Sequence, residues 1–207
     1  MALLVGCAAN ADPQTALLPT QSAARSVSME GASGFTHCPA WPGGSGILND
    51  GDFHKAPDPG YFQTYYKGQG FAPGWRVTLR SVDLYGGTVN KFPGGACSVD
   101  LDGSQPGAIE HAPIRTIKGA NYTVTFLFSG NDGGPPATKT MKVEAAGQSE
   151  TLQWDDANGG PEHGDYETEA WSFMATTTRT TLRFISQDQR KHDAHGPVVA
   201  AISITPN

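Results

Sequence analysis

Short runs of alternating apolar and polar residues dominate the chain from Ile47 onward. In the stretch YTVTFLF, apolar and aromatic side chains fall on every second residue from Tyr122 to Phe128, and in TTLRFIS Leu182 and Phe184 share one face. A period of two places such residues on one face of a β-strand. Helical periodicity is almost absent, so the chain is predicted to be all-β.

The same pattern predicts eleven strands, each bounded by turn-forming residues. They are Gly46–Phe53, Trp75–Leu79, Ser81–Tyr85, Cys97–Leu101, Ala108–Thr116, Tyr122–Ser129, Lys139–Ala145, Glu150–Trp154, Ala170–Ala175, Thr180–Ser186 and Val198–Thr205.

Turn formers are frequent, with 26 glycines and 15 prolines among 207 residues. Many short strands joined by turns are typical of two antiparallel sheets packed face to face. We therefore predict a two-sheet antiparallel β-sandwich of the jelly-roll type. No repeat of fixed period is visible, which argues against a propeller or a solenoid.

Residues 1–45 differ in composition from the rest of the chain. From residue 8 they are rich in Ala, Ser, Pro, Gly and Gln and lack periodicity, which is typical of a flexible tether. We predict that 1–45 holds a truncated signal segment and a tether, and that 46–207 forms the β-sandwich domain.

The tetrapeptide Leu4-Val5-Gly6-Cys7 resembles a bacterial lipobox, in which Cys7 would carry a lipid. A signal peptide needs a basic segment before its apolar run, and no Lys or Arg precedes Arg25. Two explanations remain: the coding start lies further upstream, or the tetrapeptide is a chance match. The exported-looking flanks favour the lipobox.

The formal net charge is −6, and only 16% of the residues are charged. A nucleic-acid partner is not expected, because surfaces that bind phosphates are basic. No run of about 18 apolar residues is present, so no segment is predicted to span a membrane. Membrane contact is expected only through a lipid on Cys7.

The chain has three cysteines, Cys7, Cys38 and Cys97, so one cysteine remains outside any disulfide that the other two form. If Cys7 carries a lipid, Cys38 and Cys97 form an even pair that could be joined by a disulfide. The alternative is two buried free thiols, and the sequence leaves both open.

Several segments, taken in order, resemble a family of bacterial extracytoplasmic β-sandwich domains, the choice-of-anchor C type, which is similar to the plant cell-wall DUF642 proteins. The matching segments are ILNDGDF, PGWRVTLRSVDLYGG, PGGACSVDLDGSQPGAI, GANYTVTFLFSGNDGGPPATKTMKV, AWSFMATTTRTTLRFISQD and GPVVAAISI. The resemblance implies a galactose-binding-like jelly roll, usually non-catalytic and associated with polysaccharide or cell-wall binding. Trp75 and Trp171 match tryptophans of that family, and both are predicted to lie in the core.

One departure from related carbohydrate-binding jelly rolls concerns a structural calcium ion. These domains commonly hold Ca²⁺ with a Glu after Gly-x-Phe and an Asp after Gly-Pro-x-x, whereas this chain has His54 and Ala200 there. Ca²⁺ takes six to eight oxygen ligands, so the usual site is predicted to be absent. Asp50, Asp52 and backbone carbonyls offer a weaker alternative, and no cofactor is otherwise expected.

The stretch DPGYFQTYYKGQGF contains the densest set of aromatic residues: Tyr61, Phe62, Tyr65, Tyr66 and Phe71. Aromatic rings with polar ends suit the apolar faces and hydroxyls of sugars. Phe62 and Phe71 are predicted to pack, which leaves Tyr65 and Tyr66 as candidate ligand contacts. The alternative is that all five residues cover one end of the sandwich.

A second candidate set lies in QWDDANGGPEHGDYE and includes Trp154, Asp155, Asn158 and His163. This loop fits a sugar-binding rim, a calcium loop or a solvated acidic turn, although it lacks the pattern of an EF-hand. Asn131, in the loop SGNDGGPPATK, is a further candidate, or a structural residue in a left-handed turn.

His192 and His195 in KHDAHG are predicted to form a polar turn and not a transition-metal site, because no third ligand stands at a suitable spacing. No serine-nucleophile elbow, zinc-protease helix or phosphate loop is present. Acids between 155 and 169 leave a glycosidase as a minority hypothesis. No catalytic residue is assigned.

The function favoured by these observations is non-catalytic binding of a cell-wall or extracellular polysaccharide by an exported protein with a possible lipid anchor. The alternatives are an envelope protein that binds another protein and, less favoured, a polysaccharide-degrading enzyme.

Overall fold

The computed structural model describes residues 37–87, 89, 91, 96–189 and 194–207. These residues belong to one compact unit. The lipobox with Cys7, most of the predicted tether and His192 lie outside the described residues. No described segment forms a helix with the length and apolarity needed to cross a bilayer.

Twelve strands and one short 3₁₀ helix form the described unit. In chain order the strands are β1 (Phe62–Tyr66), β2 (Gly70–Ala72), β3 (Trp75–Leu79), β4 (Ser81–Tyr85), β5 (Ser98–Asp100), β6 (Ala108–Arg115), β7 (Asn121–Gly130), β8 (Thr138–Ala145), β9 (Gln148–Asp155), β10 (Glu167–Met174), β11 (Arg179–Ser186) and β12 (Pro197–Pro206). The 3₁₀ helix covers Asp156–Asn158, between β9 and β10.

The strands form two six-stranded antiparallel sheets. The first has the order β1-β4-β5-β12-β7-β10, and the second has the order β2-β3-β6-β11-β8-β9. The predicted all-β, two-sheet jelly-roll sandwich is therefore confirmed.

The core lies between the sheets, where the alternating apolar residues meet. On β7 the residues from Tyr122 to Phe128 are buried at every second position, and Leu182 and Phe184 are buried on β11. Phe126 and Phe184, one from each sheet, meet edge to face with centroids 5.1 Å apart. Apolar area removed from water in this way is the main stabilising contribution in such a domain.

Both tryptophans expected in the core contribute to it. Trp75 is buried, and its indole N–H donates to the Asp50 carbonyl at 3.0 Å. Trp171 is partly buried and packs against Phe173, with centroids 5.8 Å apart.

A smaller apolar cluster lies apart from the main core. Its buried members are Ala96, Ala200 and Ala201, and the partly buried ring of Trp41 packs against them. Ala200, which stands where related domains carry a carboxylate, is therefore surrounded by apolar side chains.

One predicted strand, Gly46–Phe53, is wrong. Gly46 forms a single bridge with Ile204, and the chain then turns, with positive φ at Asp50 and Phe53. The Ser45 hydroxyl accepts from the Gly51 N–H and the Asp50 carboxylate accepts from the Lys55 N–H. Short polar side chains of this kind compete with strand hydrogen bonds for the backbone.

The aromatic connection before Trp75 contains two strands that the alternation did not indicate. β1 pairs with β4 at the edge of the first sheet, and β2 pairs with β3 at the edge of the second. No side chain of β1 is fully buried and β2 has only three residues, so neither strand carries a clear apolar alternation.

Cys38 and Cys97 form a disulfide with an S–S distance of 2.02 Å, so the paired alternative of the sequence analysis holds. Both residues are buried, and Cys97 directly precedes β5. The bond joins the segment before β1 to the middle of the first sheet.

We expect the double substitution Cys38→Ala and Cys97→Ala to lower the free energy of unfolding by about 4 kcal/mol. The crosslink spans a sequence separation of 59 residues, and a closed loop of this size restricts the unfolded chain. Urea unfolding of both proteins measures the difference. A reducing agent should destabilise the unaltered protein and leave the variant unchanged; equal stability without reductant would contradict the prediction.

Candidate functional site

The outer face of the first sheet, turned away from the core, carries a row of polar side chains. On β4, Val82 and Leu84 enter the core, so Ser81, Asp83 and Tyr85 point to the opposite side. The residues facing Asp83 and Tyr85 on β1 are Thr64 and Phe62.

This face forms the floor of a cleft of ≈ 200 Å³. Side chains from strands β1 and β4 meet residues of several loops around it. The lining residues are Tyr61, Phe62, Asp83, Tyr85, Val89, Asn131, Gly133, Glu162, Ala194 and His195.

The floor is organised by the fully buried carboxylate of Asp100 on β5. Tyr85 Oη donates to Asp100 Oδ2 at 3.2 Å, and Asn131 Nδ2 donates to the same oxygen at 2.9 Å. The other oxygen, Oδ1, accepts from the N–H groups of Asp102 and Gly196. Burial raises the pKa of Asp100 well above its usual range, and the neighbouring Asp102 raises it further.

Asn131 and Tyr85 are held in one arrangement by these contacts. Asn131 Nδ2 also donates to Tyr85 Oη at 2.9 Å, while Asn131 Oδ1 accepts from the Gly133 N–H at 3.0 Å. Burial raises the pKa of the Tyr85 phenol, so it remains a neutral hydroxyl. The two side chains therefore present a fixed polar surface to the cleft.

Asp83 differs from Asp100 because its carboxylate is only partly paired. It is 5% exposed, and its Oδ1 has no hydrogen-bond partner among the described residues. Burial raises the pKa of Asp83, and a hydrogen bond with the Thr64 side chain partly offsets this effect. A buried oxygen without a partner carries a free-energy cost that a ligand donor would remove.

Two exposed aromatic rings form one wall of the cleft. Tyr61 is 63% exposed and Phe62 is 46% exposed, with ring centroids 5.4 Å apart. The rings of Phe62 and Tyr85 are nearly perpendicular, with centroids 6.2 Å apart. The preceding turn positions them: Gly60 has a φ of 72°, and its N–H donates to Asp58 Oδ1.

The opposite wall is the loop after β7. The fully buried side chain of Lys139 binds this loop. Its ammonium donates hydrogen bonds to the carbonyls of Gly134 and Pro136 and lies 3.4 Å from Asp156 Oδ2. Gly133 lies against the ring of His195, because a Cβ at Gly133 would approach that ring to 3.0 Å. The buried cation thus fixes the loop that carries Asn131.

A separate polar cluster lies in the turn after Gly46. His54 Nδ1 lies 2.8 Å from Asp50 Oδ1 and 2.7 Å from Asp52 Oδ1. The possible ligand atoms of the three residues lie within 4.8 Å of one another, a spacing that a metal ion could bridge. Here the imidazole itself bridges the two carboxylates, and the sequence-based expectations about calcium stay predictions.

The two carboxylates of this cluster are affected in opposite directions. Burial raises the pKa of Asp50, and this effect exceeds the opposing hydrogen bond from the Lys55 N–H. Burial alone would raise the pKa of Asp52 as well, but hydrogen bonds from His54 and the Trp41 N–H bring it below its ordinary value. Asp52 is therefore the member held in its ionised form.

Sequence comparison identifies the family of the chain. The sequence model of DUF642, described as a protein of unknown function, matches residues 46–205. The chain belongs to the DUF642 family.

One curated relative of the DUF642 chain is Halomucin from Haloquadratum walsbyi (strain DSM 16790 / HBSQ001). The two are 30% identical over 131 residues, which is 63% of this chain and 1% of Halomucin. The chain thus spans about one hundredth of the length of that relative.

Solved structures similar to the DUF642 chain include carbohydrate-binding modules. A family 35 module from Clostridium thermocellum has a TM-score of 0.44 at 14% identity, with 70% of this chain and 92% of that chain covered. The module TmCBM61, solved with β-1,4-galactotriose, has a TM-score of 0.45 at 10% identity, with 79% and 100% covered.

The structure of the DUF642 domain brings one of the seven predicted ligand residues, Asn131, into the cleft. Tyr65 is partly buried and its ring packs on Phe71, with centroids 5.8 Å apart. Tyr66 is 55% exposed on the same strand, outside the cleft lining. Phe62, which was expected to pack, is exposed and lines the cleft, because it lies on the outer face of an edge strand.

The predicted ligand residues after β8 have other positions. Trp154 is 2% exposed, and its indole N–H donates to the Gly159 carbonyl, so its ring belongs to the core and offers no face to a ligand. Asp155 caps the 3₁₀ helix by accepting from the Ala157 N–H. Asn158 is exposed, and His163 is exposed with Nε2 3.9 Å from Asp132 Oδ2.

Asp83, Tyr85 and Asp100 of the DUF642 domain were missed as site residues. The signal was present: in SVDLY and SVD the polar positions alternate with buried Val and Leu, which places these side chains on the outer face. The sequence pattern left open whether a loop or a sheet face binds the ligand, and the polar residues on the outer faces of β4 and β5 were not among the predicted ligand residues.

We expect Lys139→Met to lower the free energy of unfolding by about 3–5 kcal/mol, because it leaves the carbonyls of Gly134 and Pro136 and the Asp156 carboxylate without their buried cation. Chemical unfolding measures the change. The matched control is Lys142→Met on the same strand, where the half-exposed ammonium pairs with Glu144 and the expected loss is no more than about 1 kcal/mol. Equal losses in the two variants would contradict a special role for Lys139.

Asp52→Asn should destabilise the DUF642 domain near neutral pH, and the difference from the unaltered protein should shrink in acid. Because the folded-state pKa of Asp52 lies below its unfolded value, its stabilising contribution is present above about pH 4 and is lost as the pH falls further. Unfolding free energies of both proteins at pH 7 and in acid provide the measurement. A difference that does not change with pH would contradict this assignment.

Proposed function

We propose that this domain binds carbohydrate in the cleft on the outer face of its first sheet. The observation that carries the proposal is the pairing of two exposed rings, Tyr61 and Phe62, with a fixed polar floor. The C–H faces of a pyranose pack on aromatic rings, and its hydroxyls need convergent polar groups beside them.

The floor supports binding because its side chains are already ordered. Asp100 holds Tyr85 and Asn131 in place through hydrogen bonds, so a ligand does not have to fix their rotamers. Each rotamer-rich side chain that is ordered in advance avoids an entropic cost of about 0.5–1.5 kcal/mol on binding.

The proposed role is binding without catalysis. Asp100, the most deeply buried acid at the floor, has both oxygens engaged by donors of the domain. A carboxylate occupied in this way supports the floor and does not exchange protons with a ligand.

We also propose that the domain acts outside the cytoplasm, where cell-wall and extracellular polysaccharides are found. The buried Cys38–Cys97 disulfide supports this location, because such bonds persist in oxidising compartments. Anchoring through a lipid on Cys7 is part of the same proposal.

Retention of the purified domain on insoluble polysaccharides tests the proposed function. We expect binding to a subset of the polymers, and a loss of about tenfold or more in affinity for Tyr61→Ala and Phe62→Ala, because both remove exposed ring area from the cleft wall. The control is Tyr66→Ala, because Tyr66 is an aromatic residue on the same strand as Phe62 with an exposure between those of Tyr61 and Phe62, and it lies outside the cleft lining.

Three outcomes would count against this assignment. A loss with Tyr66→Ala equal to that with Tyr61→Ala would move the site away from the cleft. Release of reducing ends from any polymer would favour an enzyme. Retention on no polymer, together with recovery of a specific protein partner, would favour an adhesive envelope protein.

A further inference from the structure

Two carboxylates, those of Asp83 and Glu162, line the cleft. Asp83 at the floor and Glu162 at the rim have no salt bridge with any Lys or Arg of the described residues. Asp83 is almost completely buried and has one oxygen without a partner, so its charge is poorly solvated. Two such carboxylates in one cleft favour a ligand that brings a positive charge and hydrogen-bond donors.

We propose that the sugar bound in this cleft carries a protonated amine, as a 2-amino-2-deoxyhexose unit with a free amino group does. The inference rests on the proposed carbohydrate-binding function and names the class of sugar. In this arrangement the ammonium lies next to the Asp83 carboxylate, and the ring of the sugar packs on Tyr61 and Phe62.

The aromatic wall supports the same class of ligand. The same small cleft that contains the two carboxylates is also lined by Tyr61, Phe62 and Tyr85. The negative face of an aromatic ring attracts a cation, and the attraction grows as the cation loses its water. An ammonium held there interacts favourably with both the rings and the acids.

Other classes of sugar fit the charges less well. The hydroxyl of a neutral sugar can donate a hydrogen bond to Asp83, but it leaves the buried negative charge uncompensated. A uronate would add a third negative charge beside Asp83 and Glu162, where the low local dielectric strengthens repulsion. Glu162 is exposed, so it also attracts a cationic ligand towards the opening of the cleft.

Calorimetric titration with three soluble oligosaccharides of equal length tests the inference. The probes are a β-1,4-linked glucosamine oligomer, its N-acetylated counterpart and an oligogalacturonate, at about pH 6, where the sugar amine is protonated. We expect the glucosamine oligomer to bind about tenfold or more tightly than the N-acetylated one, and the uronate to bind most weakly.

Asp83→Asn should remove most of this preference, and Glu162→Gln should reduce it by about two- to threefold, since an exposed charge contributes less than a buried one. The matched control is Glu150→Gln, which makes the same change of charge at an exposed position on β9 in the second sheet. It separates recognition in the cleft from general attraction between an acidic protein and a cationic sugar. Thermal melting of each variant confirms folding, and Glu162→Gln provides the test if Asp83→Asn does not fold.

The outcomes separate this inference from the proposed function. Equal binding of the glucosamine and N-acetylated oligomers, with loss in Tyr61→Ala, would overturn the amine preference and leave carbohydrate binding intact. Preference for the uronate, or a preference unchanged in the folded cleft variants, would also overturn it. Binding of no oligosaccharide of any class would remove support from both.

Discussion

A single buried carboxylate, that of Asp100, joins the segments from which the cleft is built. It accepts hydrogen bonds from Tyr85 on β4, from Asn131 after β7 and from the Gly196 N–H just before β12. Burying an ionisable group without partners is costly, so its four donors must be in place together. The strand order that brings β4, β5, β12 and β7 side by side is what makes this possible.

The loop opposite the aromatic wall depends on a charge of the other sign. Lys139 is fully buried below the loop and is bound by backbone carbonyls and by Asp156. The cleft thus lies between the buried carboxyl group of Asp100, which orders its floor, and the buried ammonium of Lys139, which orders its wall. In both cases hydrogen bonds within the domain engage the buried group, whereas Asp83 keeps one oxygen without a partner among the described residues.

The fold could be predicted from the sequence because apolar residues alternate strictly along strands such as β7 and β11. A period of two indicates a β-strand with one buried face. It failed at Gly46–Phe53, where polar side chains turn the backbone, and at β1, where an edge strand carries little apolar pattern. The site was predicted poorly because it lies on an outer sheet face. Members such as Tyr85 on β4 and Asn131 after β7 come together only because the sheet order brings strands that are distant in sequence side by side, which local patterns do not reveal.

The disulfide also determines how mechanical load would pass through the molecule. Tension applied to the chain ahead of Cys38 crosses the covalent bond directly to Cys97, at the start of the central strand β5. The residues between the two cysteines, which include Tyr61, Phe62 and Asp83, are bypassed by that path. A pull on the chain ahead of Cys38 therefore leaves the aromatic wall and its neighbouring strand unstretched. The cleft keeps its shape, and a polymer bound there stays in contact with the wall while the chain is under tension.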